Sequence, residues 1–479
     1  MRRSSSSCTM RRRDDGETST SDGKRTRDDR RDAADDDSSD SHREPLAETF
    51  GRIVRVGRAS LAHHPRVRAL RQLVSGTSAD DLPRLAELVM LGVTYWSKDD
   101  ECNAEKYDDA RRAWERDWGS RCWMTYRRGF EALGRTKWRT DAGWGCTLRS
   151  AQMMVANALS IHTRGRHWRR QVKAKEDDES VDREGAGDEL DSSDESPTSF
   201  LGGVVRRLRI PEIQRTNAGC DAQEDVLSMF IDDASAPFSI HSVCETTTAW
   251  GAPPGRWFEP SVMCRAFSAL IEANGDLRNQ IAVHVVGGQN EDDSAGGVPT
   301  IDDGELRAKS ADVGKALLLF VPLVLGVGRN INTRYISQLR SIIAFKQSIG
   351  VIGGRPNASL YLVGHSDDVF FYLDPHTVQP ANSFAEAVDF DSYYCSTPLQ
   401  MRGELLDPTL ALGFYCRDGD DLDSLFASVK ALAEANATAP VLDVRSATEA
   451  KAFDARASSP STARGRALKD DEFHDWEFL

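Results

Sequence analysis

The chain has 479 residues and only nine cysteines. None stand as C-x-x-C, and none combine with histidine at zinc-ligand spacing, so a structural zinc site and a redox dithiol are set aside and no cofactor is expected. Basic residues are in deficit. The 61 Lys and Arg against 75 Asp and Glu give a net charge of −14, the wrong balance for a nucleic-acid binder, whose affinity rests on a basic surface. Long apolar runs are missing too. The longest, Ala316 to Val327, is broken by Pro322 and falls short of the about 20 residues that span a bilayer. The opening MRRSSSSCTMRRRDD has no apolar core for a secretory signal, and its Asp residues argue against a transit peptide. The reading is a protein of the reducing cytoplasm with free thiols. Hydrophobic residues are 39% and charged residues 28%, leaner than an average domain, so part of the chain is expected not to fold. The remainder is enough for one large domain or two smaller ones.

Residues 1–44 are Arg, Asp and Ser with little to bury, and read as a disordered arm. Helical periodicity begins over 45–84, and a helix is expected across Leu82 to Leu91. Two acidic, aromatic-free stretches, about 171–199 and 290–305, read as solvated insertions within a fold. Residues 436–479 read as a flexible tail, although its final DEFHDWEFL is not tail-like. Between these pieces helix and strand signals alternate. Ala316 to Val324 predicts a buried strand. Asn332 to Gln347 carries Tyr335, Leu339, Ile342 and Ile343 at helical spacing, with Asn332 as a cap. Ser359 to Val363 and Val369 to Leu373 predict a hairpin joined through 364–368, with His365 at its solvent-facing tip. The fold class is α+β with one main core.

Asp141 to Ser150 (DAGWGCTLRS) carries chemistry. Gly143 and Gly145 free the backbone for a tight turn. Leu148, Gln152, Val155 and Leu159 then recur at helical spacing. Cys146 is thereby placed at the start of a half-buried helix. A free thiol has a pKa of about 8.5. The helix dipole favours its anion by about 0.3–1 kcal/mol, and a neighbouring imidazolium lowers it to roughly 3.5–7.5. The base matters more than the dipole. The unpaired N–H groups of the first turn are also fit to bind an oxyanion.

Asp374-Pro375-His376 supplies a base with its orienter. Pro375 pushes Asp374 into extended geometry, where residues i and i+2 point to one side. The carboxylate can then hold one ring nitrogen and leave the other for a thiol, the logic of a Cys-His-Asp triad.

Taken in order, these motifs resemble one family. Tyr126-Arg127 with Phe130, Asp141 and Gly143 to Cys146, Leu148-Arg149 with Gln152-Met153, Gly350 to Asn357, Tyr372 to His376 with Gln379-Pro380, and Gly413 to Cys416 all match the autophagins, the cysteine peptidases of autophagy. The match covers most of roughly 85–430. It implies a papain-like domain over 85–435 with a small extra subdomain. It implies cleavage after the C-terminal Gly of the ubiquitin-like autophagy modifier, and release of that modifier from phosphatidylethanolamine, with transient membrane association through the lipidated substrate. By motif position Cys146 is the nucleophile, His376 the base and Asp374 its orienter. Tyr126 donates to the oxyanion beside the N–H of Cys146. Gly255 to Ser261 matches a stretch whose Trp, here Trp257, narrows the groove to Gly-Gly-like backbone, with Phe258 and Glu259 where the family has Tyr and Gly. Arg355, Pro356, Asn357 and Ala358 match a gating loop displaced by substrate, with Gly353 and Gly354 as hinges. At the C-terminus, Asp475 to Leu479 resembles a short modifier-binding motif in which Trp476 and Leu479 fill two pockets of the partner. Two other classes stay open: a non-catalytic modifier-binding adaptor, against which the intact triad argues, and a broader papain-like protease or deubiquitinase, against which Trp257 argues.

Overall fold

The computed structural model describes residues 77–78, 85–98, 103–171, 222–287 and 298–446, all within one unit spanning 51–479. The arm over 1–44, most of the lead-in, the first acidic stretch past residue 171 and the tail motif lie outside the described residues. The strands are β1 (Thr77–Ser78), β2 (Leu88–Met90), β3 (Val93–Trp96), β4 (Tyr126–Arg128), β5 (Ile281–Val285), β6 (Thr300–Asp302) and β7 (Ala316–Val324). They continue as β8 (Ser348–Arg355), β9 (Ala358–Ser366), β10 (Val369–Leu373), β11 (Val378–Pro380), β12 (Leu399–Arg402), β13 (Thr409–Cys416) and β14 (Asp443–Arg445). The helices are α1 (Ala104–Trp118), α2 (Cys146–Arg164), α3 (Ala222–Ser228), α4 (Ile240–Ala249), α5 (Pro260–Ala273), α6 (Asp303–Lys309), α7 (Ile336–Ala344) and α8 (Gly419–Ala435).

The main sheet runs β1-β12-β10-β9-β8-β13-β7-β5, with β2 and β3 joined to it through β9. All of its pairs are antiparallel except β5 with β7. The apolar run of β7 follows from burial on both sides. Leu318 and Phe320 enter the core under α2 and α5, while Leu317, Leu319 and Val321 enter the core under α7 and α8. Residues of β9 and β10 divide the same way: Tyr361, Val363, Phe371 and Leu373 face one core, Leu360, Leu362, Phe370 and Tyr372 the other. A strand with no solvated face has no polar alternation. On one side lies α2, whose residues Cys146 to Ile161 are all buried. Two small parallel pairs, β4 with β11 and β6 with β14, complete the strands. Among the described residues no helix is long and apolar enough to cross a membrane.

Five sequence expectations need correction. The helix across Leu82–Leu91 is not formed at its described end. Leu88–Met90 is a strand held by β9, Val89 facing His365, and Leu91 and Gly92 turn into β3 with positive φ. Three adjacent apolar residues carry no period, so long-range pairing decides. The helix expected to reach Gln347 stops at Ala344. Asn332 does cap, accepting from the Arg334 N–H, but it opens a 3₁₀ turn ahead of α7. The second acidic stretch is shorter than expected, because Thr300–Asp302 is β6 and Asp303–Lys309 is α6. The tail likewise begins later: Val441 and Leu442 are buried and Asp443–Arg445 pairs with β6. His365 is not at a hairpin tip. It lies inside β9, 3% exposed, and the turn is Asp367-Asp368, with Asp367 in the left-handed region.

Candidate active site

The segment before α2 is shaped around Asp141. Its carbonyl accepts from the N–H groups of Trp144 (3.2 Å) and Gly145 (2.8 Å). A Cβ on Gly145 would lie 2.6 Å from the Asp141 Cβ, and Gly143 has φ +88°, so both glycines are required by the turn. The Asp141 carboxylate accepts from the Arg127 N–H at 2.6 Å and from Arg149 Nε at 2.7 Å. Arg149 also pairs with Asp232 at 2.8 Å. All three side chains are at most 1% exposed. Burial opposes the guanidinium charge of Arg149, but the two carboxylates outweigh it and hold the group firmly protonated. This buried triad anchors the first turn of α2, one helical turn from Cys146. The sequence reading quoted Asp141 and Arg149 as motif letters and missed Asp232, which joins them only through tertiary structure.

The histidine side is built at the end of β10. Asp374 Oδ1 accepts from the His376 backbone N–H at 2.9 Å and meets ring Nδ1 at 2.6 Å. Pro375 between them gives the extended geometry that places carboxylate and ring side by side. The loop is pinned from a second element. Tyr126 N–H donates to the Pro375 carbonyl at 2.8 Å, and Trp123 Nε1 donates to the Asp374 carbonyl at 2.8 Å. The β4–β11 pair, Val378 opposite Tyr126, continues the attachment. Trp123 was not singled out from sequence, since an isolated Trp gives no sign of a partner about 250 positions away.

These two constructions converge on one sulfur. Cys146 is 2% exposed, and burial alone would push its thiol up. The hydrogen bond from His376, the backbone N–H of Ser359, the imidazolium charge and the Tyr126 hydroxyl outweigh burial, so the thiol sits below its ordinary value. Burial likewise disfavours the His376 cation, but the Asp374 hydrogen bond, Cys146 and the Asp374 charge raise it to about 9. Cysteine down and histidine up is the signature of a thiolate–imidazolium pair. Burial and the thiolate both push the Tyr126 phenol well above its usual range, which keeps its O–H as a donor. Its ring meets His376 edge-on, centroids 5.3 Å apart. Three other buried thiols differ: Cys244, Cys264 and Cys416 are pushed up by burial, Cys244 to about 12.

Of the other expected residues, those among the described ones are placed as follows. Arg355, Pro356, Asn357 and Ala358 form the β8–β9 turn, with Asn357 at φ +65°. The next residue, Ser359, is the one whose N–H reaches Cys146, and its Oγ bonds Ser150 at 3.3 Å. Gly353 and Gly354 lie in β8, not in the turn, where added Cβ atoms would meet Leu410 Cδ2 at 2.3 Å and the Ala358 carbonyl at 2.2 Å. Trp257 is 45% exposed on the loop before α5. That loop is fixed to the turn before Cys146 by Phe258, buried with its ring 6.1 Å from that of Trp144, and by the close approach of Gly255 to Trp138. Trp476 and Leu479 lie outside the described residues.

Comparison with known proteins gives this arrangement a lineage. Residues 111–428 match the peptidase C54 catalytic domain. The chain is 34% identical over 393 residues to a cysteine protease ATG4 of Medicago truncatula, covering 77% of this chain and 71% of that one. It is 32% identical over 462 residues to cysteine protease ATG4b of Arabidopsis thaliana, covering 92% and 87%. A cysteine protease ATG4B of Oryza sativa subsp. japonica is 33% identical over 377 residues, covering 75% and 70%. The α+β arrangement around a helix headed by cysteine accords with the papain-like fold of that peptidase family. The chain belongs to the peptidase C54 family, the autophagins, and is a cysteine peptidase of autophagy.

Proposed function

We propose that Cys146, His376 and Asp374 form the catalytic triad of a peptidase that acts on the ubiquitin-like autophagy modifier in two contexts. In the precursor it cleaves the peptide bond after the C-terminal Gly. In the membrane conjugate it hydrolyses the amide between that Gly and phosphatidylethanolamine. Both bonds are amides of the same Gly carbonyl, so one mechanism serves. Cys146 Sγ attacks the carbonyl carbon, and Tyr126 O–H with the Cys146 N–H holds the oxyanion. The His376 imidazolium gives its proton to the leaving amine. A water then gives a proton back to His376 and hydrolyses the thioester, freeing the Gly carboxylate and Sγ.

The observation that carries this reading is the Asp374–His376 contact at 2.6 Å joined to a thiol held below its ordinary value by that same histidine. Trp257 and the turn Arg355, Pro356, Asn357 and Ala358 are assigned to substrate binding, and Trp476 with Leu479 to capture of the modifier. The catalytic domain is assigned to 85–435. Membrane contact is transient and comes through the lipidated substrate. The test is cleavage of modifier precursor by wild type and Cys146→Ala. A loss of about 10⁴-fold or more is expected for a removed triad nucleophile, and equal cleavage by both proteins refutes the assignment.

A further inference from the structure

Among the described residues, strand β5 ends the main sheet and is bonded only to β7. Its register shows which groups are unused. The Gln280 carbonyl accepts from Ala316 N–H at 3.0 Å, and Val286 N–H donates to Phe320 at 2.9 Å, so the even-numbered residues turn their backbone toward β7. The N–H and C=O groups of Ile281, Val283 and Val285 therefore point away from the sheet. Among the described residues they have no partner. This edge forms the wall of a cleft of about 760 Å³, separate from the Cys146 site. Its rim is basic. Arg265 on α5, Arg278 after it, Lys309 on α6 and Lys315 before β7 face it, against one lining acid, Glu272. Lys309 is partly neutralised by Glu305 at 2.8 Å, and Arg265 stacks over Trp250, which is 42% exposed. Arg278 and Lys315 have no ion pair among the described residues.

Charged side chains guard many edges against indiscriminate strand pairing. Here four of the five lining charges are positive, opposite to the sign of a chain with net charge −14. Side chains of Ile281 and Val283 enter the core shared with α5, which carries Arg265, and Ala282 packs against the core shared with α6, which carries Lys309, so these two cations flank the edge from opposite faces of the sheet. An added strand projects alternate side chains to the two faces. Adjacent acidic residues in it would meet cations on both. We propose that the β5 edge is a docking site for an extended acidic peptide of a partner protein, which adds as a further strand and salt-bridges to Arg278 and Lys315. The proposal is independent of the triad assignment.

The experiment uses the full chain carrying Cys146→Ala, so that no probe is cut, and fluorescence polarisation of a labelled twelve-residue peptide, three repeats of Glu-Glu-Val-Val. Saturable binding is expected, with none for the same peptide carrying Lys in place of Glu. Arg278→Glu with Lys315→Glu should weaken binding about tenfold or more. Val283→Pro removes an outward N–H without breaking the ladder to β7 and should weaken it similarly, and Val285→Pro repeats the test at a less buried position. Equal binding of both peptides, or wild-type affinity in both proline variants, overturns the proposal. Truncation after Ser446 should leave the affinity unchanged. A tenfold gain would mean that residues 447–479 already occupy the edge, and would overturn an external partner.

Discussion

Replacing Asp374 by Asn tests the proposed site at its orienting group. The side chain keeps its shape, and the amide oxygen can still accept from the His376 backbone N–H. What is lost is the negative charge 2.6 Å from Nδ1. In the native site the ring is raised from an ordinary 6.5 to about 9, against the opposing effect of burial. That difference corresponds to about 3.4 kcal/mol favouring the imidazolium. The ring is 32% exposed, and solvent screening leaves about 2–3 kcal/mol of it. Asp374 supplies the leading favourable contribution. A loss of roughly 30- to 150-fold in kcat/KM at neutral pH follows, at about 1.4 kcal/mol per factor of ten. The sign is fixed. A raised histidine is protonated below its own value and loses its proton above it, so wild-type activity should decline as pH rises through about 9. In Asp374→Asn the alkaline decline should move to near or below the ordinary histidine range. The assay is a pH–rate profile on a modifier precursor under kcat/KM conditions. An alkaline limb still near pH 9, with activity within threefold of wild type, would refute the reasoning.

Further outcomes follow from other contacts. Tyr126→Phe keeps the edge-on packing against His376 but removes the hydroxyl, so kcat should fall by about 10²–10³ with KM little changed. A fall in KM-limited binding alone would contradict an oxyanion role. Arg149→Met leaves Asp141 and Asp232 buried without their closest cation, with only Arg127 Nε left 3.9 Å from Asp232, and should cost about 3–5 kcal/mol in chemical denaturation; an unchanged midpoint would show the buried ion cluster to be dispensable. Mild peroxide should abolish cleavage and dithiothreitol should restore it, since the low thiol of Cys146 is oxidation-prone while the raised thiols are not. Activity surviving doses that oxidise other reactive thiols would count against a thiolate at position 146.

The parts of this fold legible in the sequence are those set by local rules. The glycines before Cys146, the period that follows, the Pro between Asp374 and His376 and the unbroken apolar run of β7 each reflect a constraint acting within a few residues. The misread parts depend on distant partners. Leu88–Met90 is a strand because β9 offers it an edge. His365 is buried because the turn falls two residues later, where Asp367 accepts a left-handed backbone, and not at Gly364, whose Cβ would strike the Val89 carbonyl at 2.3 Å. Val441 and Leu442 fill the core under α8 although the surrounding composition reads as tail. In the site, Ser359, Trp123 and Asp232 escaped notice for the same reason: each acts through a neighbour more than 80 positions away.

The small β6–β14 pair has a consequence for how the molecule comes into being. Residues near 300 must wait for those near 443 before this pairing can form, and the sulfur waits about 230 positions for its imidazole. During synthesis on the ribosome, the emerging N-terminal half carries a thiol with neither its base nor its hydrogen-bonding neighbours. Such a thiol has ordinary, sluggish reactivity. On the proposed triad, proteolytic competence thus arrives late and all at once.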